Sequence, residues 1–373
     1  MIFYCEARIF SGQERMYLIA ACAMSFSEKS IIIINESNFI AIDYCKENGN
    51  FSEIITIKDF DPKFSSLYVW FRWKRIYSFI KLLKAKHPVY KTLCVSQGRI
   101  ESGNIAIIAA KLLRKKIISY IPMVHYHFQM EQRSISTIIK DMLCVPLYKL
   151  PNSFITISNA VANDLKKKTS ANVLVVENFI DKKNYQKIDN PPPSFNEKNV
   201  IKIVLPGRLL NKQKGQLDFV EAINYLKNEN CKDIVCYIVG EGPDKKIINE
   251  HIKRYKLSET IHLLGNRNDL VSIMDGCDLV VLPSRFEGVP LVLLEAALLQ
   301  KHIIASDIVG FNDYLHAECL FKPSNPISLA NKIKEYIKSD GKPTYYKATL
   351  SNVLMRNENQ FKNDFITTLK KLS

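Results

Sequence analysis

Short apolar runs rich in β-branched residues recur along the whole chain, separated by stretches in which apolar positions return every third or fourth residue. The second half shows this most cleanly: Ile201–Leu205, Ile234–Val239, Ile261–Leu263, Leu279–Leu282 and Ile303–Ala305 read as strands. Between the first two, Gln216–Asn228 places Leu217, Val220, Ile223 and Leu226 on one helical face. Strands that are apolar nearly throughout belong in a parallel sheet covered on both sides. The first half repeats the rhythm at Ile2–Cys5, Ile31–Asn35, Ile54–Ile57, Thr92–Val95, Ile117–Ile121, Phe154–Ile157 and Val173–Val176. At Asn190-Pro191-Pro192-Pro193-Ser194, three prolines rule out a helix or a central strand and mark a semi-rigid spacer. The pattern predicts an α/β protein of two doubly wound, Rossmann-like domains facing a central cleft. They span residues 1–190 and 199–345, with a linker at 191–198 and a helical stretch, Ser351–Leu372, within 346–373.

Composition narrows the class. Of 373 residues, 47% are hydrophobic and 24% charged, which excludes wholesale disorder. Nine cysteines, an odd number without a CxxC pair, argue against a disulfide framework and for reduced thiols in a cytoplasm. No uninterrupted apolar run reaches about 18 residues, and no basic region precedes an apolar one at the N-terminus. The expectation is a soluble, intracellular protein. The net charge of +15 is uneven: residues 1–190 hold 27 Lys+Arg against 16 Asp+Glu, and residues 191–373 hold 25 against 21. An anionic partner of the excess charge is expected on the first half.

In open α/β sheets, ligands sit beyond the carboxyl ends of the strands, so the residues after each strand carry the chemistry. Pro206-Gly207-Arg208, then Lys212 and Lys214-Gly215, lie between a strand and a helix. Glycine permits close backbone approach, Arg208 can grip a phosphate bidentately and Lys214 supplies a point charge. Alone, the segment reads more simply as a glycine turn with solvated lysines. Gly240-Glu241-Gly242-Pro243 follows the next strand as a tight turn. Gly265-Asn266-Arg267-Asn268-Asp269 offers exposed backbone for a nucleotide base, or a helix cap at Asn268 or Asp269. The most informative segment is Pro283-Ser284-Arg285-Phe286-Glu287-Gly288-Val289-Pro290-Leu291-Val292-Leu293-Leu294-Glu295. Pro290 suits the first turn of a helix, which aims the N–H groups of Gly288, Val289 and Leu291 at a ligand. Glu287 falls in the loop and Glu295 inside an apolar helix, where a carboxylate needs water, a partner or a ligand hydroxyl.

The ordered set Gly207-Arg208, Lys214-Gly215, Val239-Gly240-Glu241-Gly242-Pro243, Leu264-Gly265 and Glu287-x7-Glu295 resembles the family 4 retaining glycosyltransferases of GT-B fold, of the bacterial polysaccharide and lipopolysaccharide type. The resemblance is close over about 199–315 and weaker over 1–190. There Phe10-Ser11-Gly12-Gln13-Glu14-Arg15 is similar to the family's glycine loop, with Ser11 where a second glycine is frequent. Ile155–Asn159 and Val176–Asp181 resemble two further family segments, and Gln300-Lys301-His302 stands where the family often has Gly-Lys-Pro.

The resemblance implies roles. Arg208 and Lys214 would hold the diphosphate of a UDP- or GDP-sugar donor and stabilise its leaving group. Glu295 would bind the ribose, and the Gly265-Asn266 backbone the base. Glu287 would touch the transferred sugar, with Gly12, Gly207, Phe286, Gly288, Val289, Pro290 and Leu291 also lining the donor. The family histidine beside the donor sugar corresponds to His125, with His127 two residues on as its competitor. Gln97-Gly98-Arg99-Ile100-Glu101 reads as an acceptor contact or as a loop with a charged cap. No metal and no other cofactor is expected: fixed cations replace a metal, and no DxD-type pair follows a strand in these segments. Same-face attack with retention is favoured, because only Glu287 offers itself as a nucleophile for double displacement. The acceptor implied is a glycan, lipid-linked, in O-antigen, capsule or exopolysaccharide assembly. The C-terminal helix would pack back on the first domain.

Both tryptophans fall in Leu67–Lys84, and from Leu67 to His87 there are six Lys/Arg and no acid. Such a segment suits an anionic membrane surface, or else a helix packing Ile76, Phe79, Ile80 and Leu83 on the sheet. A cytoplasmic protein bound peripherally to the inner face of the cell membrane is the expectation. The competing readings are another GT-B enzyme such as a sugar-nucleotide epimerase, and a basic nucleic-acid- or membrane-binding protein without catalysis. Glu287-x7-Glu295 with Arg208 and Lys214 argues against the first. No nucleic-acid-binding module appears, so no nucleic acid is expected.

Overall fold

The computed structural model describes residues 1–58, 69–86, 90–124, 127, 134–180, 191–193, 195–229, 231, 233–339 and 346–373. The chain forms two compact units, Met1–Phe179 together with Arg356–Ser373, and Ile180–Met355. The division thus falls between Phe179 and Ile180, ahead of the proline spacer.

The first unit is built on β1 (Ile2–Cys5), β2 (Ile31–Asn35), β3 (Glu53–Ile57), β4 (Thr92–Ser96), β5 (Lys116–Tyr120), β6 (Ser153–Thr156) and β7 (Asn172–Val175). All pairings are parallel, in the order β3-β2-β1-β4-β5-β6-β7. Its helices are α1 (Gly12–Ser27), α2 (Phe39–Asn48), α3 (Trp73–Lys86), α4 (Asn104–Leu112), α5 (Ile135–Cys144) and α6 (Asn159–Lys166). Alternation sorts the strand residues: Ile2, Tyr4, Ile31, Ile33, Leu93 and Val95 pack against Ile76, Phe79 and Leu83 of α3 and Ala106–Ala110 of α4. On the other face Phe3 meets Tyr17 of α1, whose hydroxyl donates to the Cys94 carbonyl at 2.8 Å.

The second unit has β8 (Ile201–Pro206), β9 (Ile234–Val239), β10 (Ile261–Gly265), β11 (Leu279–Leu282), β12 (His302–Ser306) and β13 (Leu320–Phe321), parallel in the order β10-β9-β8-β11-β12-β13. The two-residue β13 is too short to leave a sequence signal. Around this sheet lie α7 (Asn211–Lys214), α8 (Gln216–Asn228), α9 (Lys245–Arg254), α10 (Leu270–Asp275), α11 (Leu291–Leu298), α12 (Val309–Asn312), α13 (Pro326–Lys338) and α14 (Ala348–Met355). The stretch expected as one C-terminal helix is two. A capping pair between Asn357 and Gln360 starts a new helix, α15 (Glu358–Leu372), after α14 ends. Helix α14 belongs to the second unit, whereas α15 packs on α1 of the first. Phe361, Phe365 and Leu369 of α15 are fully buried, each a contribution of about 1.5–3 kcal/mol. Tyr120 and Phe179 receive the two phenylalanine rings.

Candidate active site

Strand order in the second unit reverses between β8 and β11. That switch point is where an open α/β sheet opens a crevice at its carboxyl edge. Gly207-Arg208 leaves β8 there and Pro283–Glu287 leaves β11, so two of the sequence-identified segments converge on the position topology would choose.

Glycines make the floor. Gly207 has φ +142° and Gly240 has φ +145°, and a Cβ on Gly240 would stand 2.1 Å from the Gly207 carbonyl oxygen. The turns after β8 and β9 therefore touch backbone to backbone, which a side chain at Gly240 would not permit, while Gly207 is required by its φ alone. Hydrogen bonds complete the seam: Gly207 N donates to Val239 O at 2.9 Å, Gly240 N to Gly265 O at 2.7 Å, and Leu209 N to Glu241 O at 3.0 Å.

The walls are riveted from α7 and α8. Gly215, at φ +66°, approaches Pro283 so closely that a Cβ would lie 2.2 Å from the Pro283 carbonyl oxygen. Arg285 N donates to Gln213 O at 2.7 Å, and the Arg285 guanidinium grips the buried Asp218 carboxylate at 3.0–3.3 Å. These ties bring Lys214 Nζ to 2.5 Å from Glu287 Oε1, with side chains only 15% and 8% exposed. The contact is one of charge: its angles are too poor for an aligned hydrogen bond to that oxygen. The Lys214 side chain also covers Gly207, passing about 3.5 Å from where its Cβ would be. Arg208 is exposed at the rim and makes no ion pair among the described residues, while its carbonyl accepts from Gln216 Nε2 at 2.9 Å. Asp218 and Arg285 are the positioning residues that sequence reading missed. In the sequence Asp218 is only an acid in the first turn of α8, and its partner lies 67 positions away.

Phe286, Glu287 and Val289 are buried, and Gly288 packs against α12, where a Cβ on Gly310 would sit 2.3 Å from the Gly288 carbonyl oxygen. Pro290 lies just outside the helix as its N-cap, in extended conformation, because α11 begins at Leu291. Glu295 falls in the second turn and is half-buried. Gly265, at φ +68°, ends β10 at an irregularity in the register and leaves Asn266 exposed. Asp269 occupies the cap position of α10, but its carboxylate is taken by Arg267 at 2.7 and 2.8 Å. Those hydrogen bonds hold the Asp269 carboxyl below its ordinary range.

In the first unit, Gly12 opens α1, and Ser11 is tied to Glu14 through its backbone N–H at 3.2 Å and through its hydroxyl. Serine at that position thus serves as a helix cap. Gln97 is fully buried: its amide donates to Ile100 O and Ser102 O, and its oxygen accepts from Ser119 Oγ. These bonds use it within the fold, which removes it as an acceptor contact. His125 lies outside the described residues. His127 is buried, with Glu101 Oε2 at 3.5 Å and Cys144 Sγ at 3.7 Å from its Nε2, so it is committed to the interior of this unit. At the carboxyl ends of β1, β2 and β3 a cavity of about 370 Å³ is lined by Glu6, Asn35, Lys58 and Arg75 beside Tyr4, Phe79 and Leu82. Glu6 also accepts from Gly103 N, and desolvation draws the Arg75 guanidinium below its ordinary pKa. The segment expected at a membrane is only partly described. In it Trp70 packs on the core, whereas Trp73, Phe71 and Tyr77 are exposed, so the two tryptophans do different work.

Two parallel-sheet, Rossmann-like units, the second with a glycine-floored, cation-bearing switch point, give the chain a GT-B fold, and residues 186–350 match the family described as glycosyl transferases group 1. That match takes in just under half of the chain. The chain is 28% identical over 294 residues to the UDP-Gal:alpha-D-GlcNAc-diphosphoundecaprenol alpha-1,3-galactosyltransferase of Escherichia coli, a match covering 72% of this chain and 71% of that one. Among solved structures, Anabaena HepE in complex with UDP and glucose superposes with a TM-score of 0.72 at 18% identity, covering 99% of both chains. The lipopolysaccharide outer core galactosyltransferase WaaB superposes with a TM-score of 0.67 at 19% identity, again over 99% of both. At these identities the two superpositions establish the fold.

Proposed function

We propose that this chain is a family 4, retaining, metal-independent hexosyltransferase that moves a sugar from a UDP- or GDP-sugar to a lipid-linked glycan of a cell-surface polysaccharide. The observation that carries the proposal is the switch point of the second unit, where Lys214 and Glu287 are held together beside the glycine floor and Arg208 stands at the rim. The diphosphate binds Arg208 and Lys214, two fixed cations that stabilise charge building on the leaving oxygen. Glu295 takes the ribose hydroxyls, the Gly265-Asn266 backbone takes the base, and Glu287 with the Gly288–Leu291 amides orients the sugar. The bond from the anomeric carbon to the diphosphate oxygen breaks as the acceptor oxygen attacks from the same face, and its proton passes to the departing phosphate. The fixed cations do the work a divalent ion would do, so the transfer needs none.

The acceptor reading rests on the first unit. Its cavity joins an apolar wall to Glu6, Asn35, Lys58 and Arg75, groups that suit sugar hydroxyls and phosphate. The E. coli relative's name gives its own acceptor as a diphosphoundecaprenol-linked sugar. Exposed Trp73 and Tyr77, with Lys74, Lys81 and Lys84 on the same helix and exposed Phe71 just ahead of it, support peripheral binding to an anionic inner membrane face. Exposed Ile135, Ile138, Ile139 and Met142 on α5 add an apolar stripe to the same unit. No helix among the described residues is long and apolar enough to cross a membrane. A thermal-shift screen of sugar nucleotides, followed by product analysis on cell-envelope lipid extract, tests the proposal. Stabilisation by one nucleotide class and a glycosylated lipid product are expected. Glu295→Ala and Lys214→Ala then each lower turnover by roughly 10²–10³, and wild-type turnover in both folded variants refutes the site.

A further inference from the structure

We propose that Glu101, His127 and Cys144 form a zinc site inside the first unit. The three come from separate segments: the loop after β4, the stretch between β5 and α5, and the last residue of α5. One ligand atom of each lies within 4.8 Å of the other two, and among the described residues no other His/Cys/Asp/Glu group of three or more is so disposed. Their spacing in the sequence, 101, 127 and 144, shows no metal pattern, which is why sequence reading gave no metal.

Two of the three separations are those of ligands about an ion, and the third, from the Glu101 oxygen to the Cys144 sulfur, lies within 4.8 Å. Zinc bonds of about 2.0–2.1 Å to nitrogen, 2.0–2.2 Å to oxygen and 2.3 Å to sulfur, at the tetrahedral angle, put nitrogen about 3.3–3.5 Å from oxygen and about 3.6 Å from sulfur. His127 Nε2 is 3.5 Å from Glu101 Oε2 and 3.7 Å from Cys144 Sγ. The nitrogen–oxygen separation is longer than the roughly 2.9 Å of an ordinary N–H···O hydrogen bond, while the nitrogen–sulfur separation is also that of a weak sulfur hydrogen bond. The main chain is already anchored: His127 N donates to Asp141 Oδ1 at 2.5 Å, one helical turn before Cys144. Burial matches a structural site, with the Glu101 and His127 side chains 13% and 11% exposed and Cys144 buried.

Thiolate, imidazole and carboxylate together favour Zn²⁺ over Mg²⁺ or Ca²⁺, which prefer oxygen alone. Binding exchanges the Cys144 thiol proton for the metal bond and releases that proton to solvent; water completes the tetrahedron. The site clamps the loop after β4 to α5. It is distinct from the Arg208–Lys214 group, which belongs to the other unit and works without a metal.

Cobalt is the probe. The purified full chain, stripped of metal, is titrated with Co²⁺ and then with Zn²⁺, and metal content is measured by mass spectrometry after dialysis. The expected result is one equivalent of Co²⁺, a thiolate-to-cobalt charge-transfer band, and loss of that band as Zn²⁺ displaces it. Cys144→Ser abolishes the band, Glu101→Gln weakens cobalt binding by about tenfold or more, and Cys231→Ser changes nothing. A wild-type protein that shows no band and no stoichiometric metal overturns the proposal without recourse to a variant. A band that persists in Cys144→Ser overturns it as well.

Discussion

Removing Lys214 orphans a carboxylate that the fold has already withdrawn from water. Glu287 Oε1 lies 2.5 Å from Lys214 Nζ, and at an effective dielectric constant of about 20 the gross attraction is on the order of 6–7 kcal/mol. Desolvation of both side chains offsets most of that, so the pair adds little over an apolar replacement, while breaking it from one side is costly. Lys214→Met leaves Glu287, 8% exposed, with its charge uncompensated, and should cost about 3 kcal/mol. Glu287→Gln should cost about 1–2 kcal/mol, because a lysine's flexible stem can carry its ammonium toward water. The double variant should cost no more than the lysine variant alone, giving a coupling energy of at least about 1–2 kcal/mol. Urea unfolding of the four proteins, followed by circular dichroism with slopes compared, measures the cycle. Single costs that add to within about 0.5 kcal/mol would mean the two side chains do not meet in solution, and the assembled site would lose its centre.

Three further outcomes follow from the same structure. Gly240→Ala puts a Cβ 2.1 Å from the Gly207 carbonyl at φ +145°, so it should lose more than about 2 kcal/mol of stability and weaken donor binding; an unchanged melting temperature would contradict the backbone seam. Burial pushes the Cys5, Cys94 and Cys277 thiols up to about 12. The folded state then keeps protons that the unfolded chain gives up near 8.5, so their stabilisation is complete below about that pH and is lost as pH climbs towards 12. Unfolding free energy should therefore fall between pH 8 and 10, with Cys94→Ala reducing the slope; a flat profile would contradict the burial. Replacing Phe71, Trp73 and Tyr77 with serine should abolish flotation with anionic liposomes, whereas Trp70→Ser, which removes a core contact, should lower stability; flotation of the triple variant at the wild-type level would sink the membrane reading.

The strands and their ends were legible because parallel strands announce themselves as apolar runs and because glycine at a strand end is a local signal. Gly207, Gly240 and Gly265 all carry positive φ, as their position after a strand suggests. What escaped was pairing at a distance. Nothing local in the sequence joins Asp218 to Arg285 or Lys214 to Glu287, since each contact is made between a helix after β8 and the loop after β11, which only the sheet brings together. The different settings of the two tryptophans were equally unreadable, because partly buried Trp70 lies in the short turn Val69–Phe71 while exposed Trp73 begins α3. Departures from the family pattern acquire reasons. Ser11 serves as a helix cap, and Gln300, where glycine is frequent, is held at φ +57° just after α11.

Equilibrium binding decides the central claim, that the switch point of the second unit holds the diphosphate of a nucleotide-sugar. Isothermal titration of the wild type and of Arg208→Ala/Lys214→Ala with UDP, GDP and their sugars should give one site per chain in the wild type for one nucleotide class. The double variant, still folded by circular dichroism, should bind at least about 100-fold more weakly, in keeping with loss of two charge-assisted contacts. Equal affinity in the two proteins, or no binding of any nucleotide-sugar to a folded wild type, would contradict it.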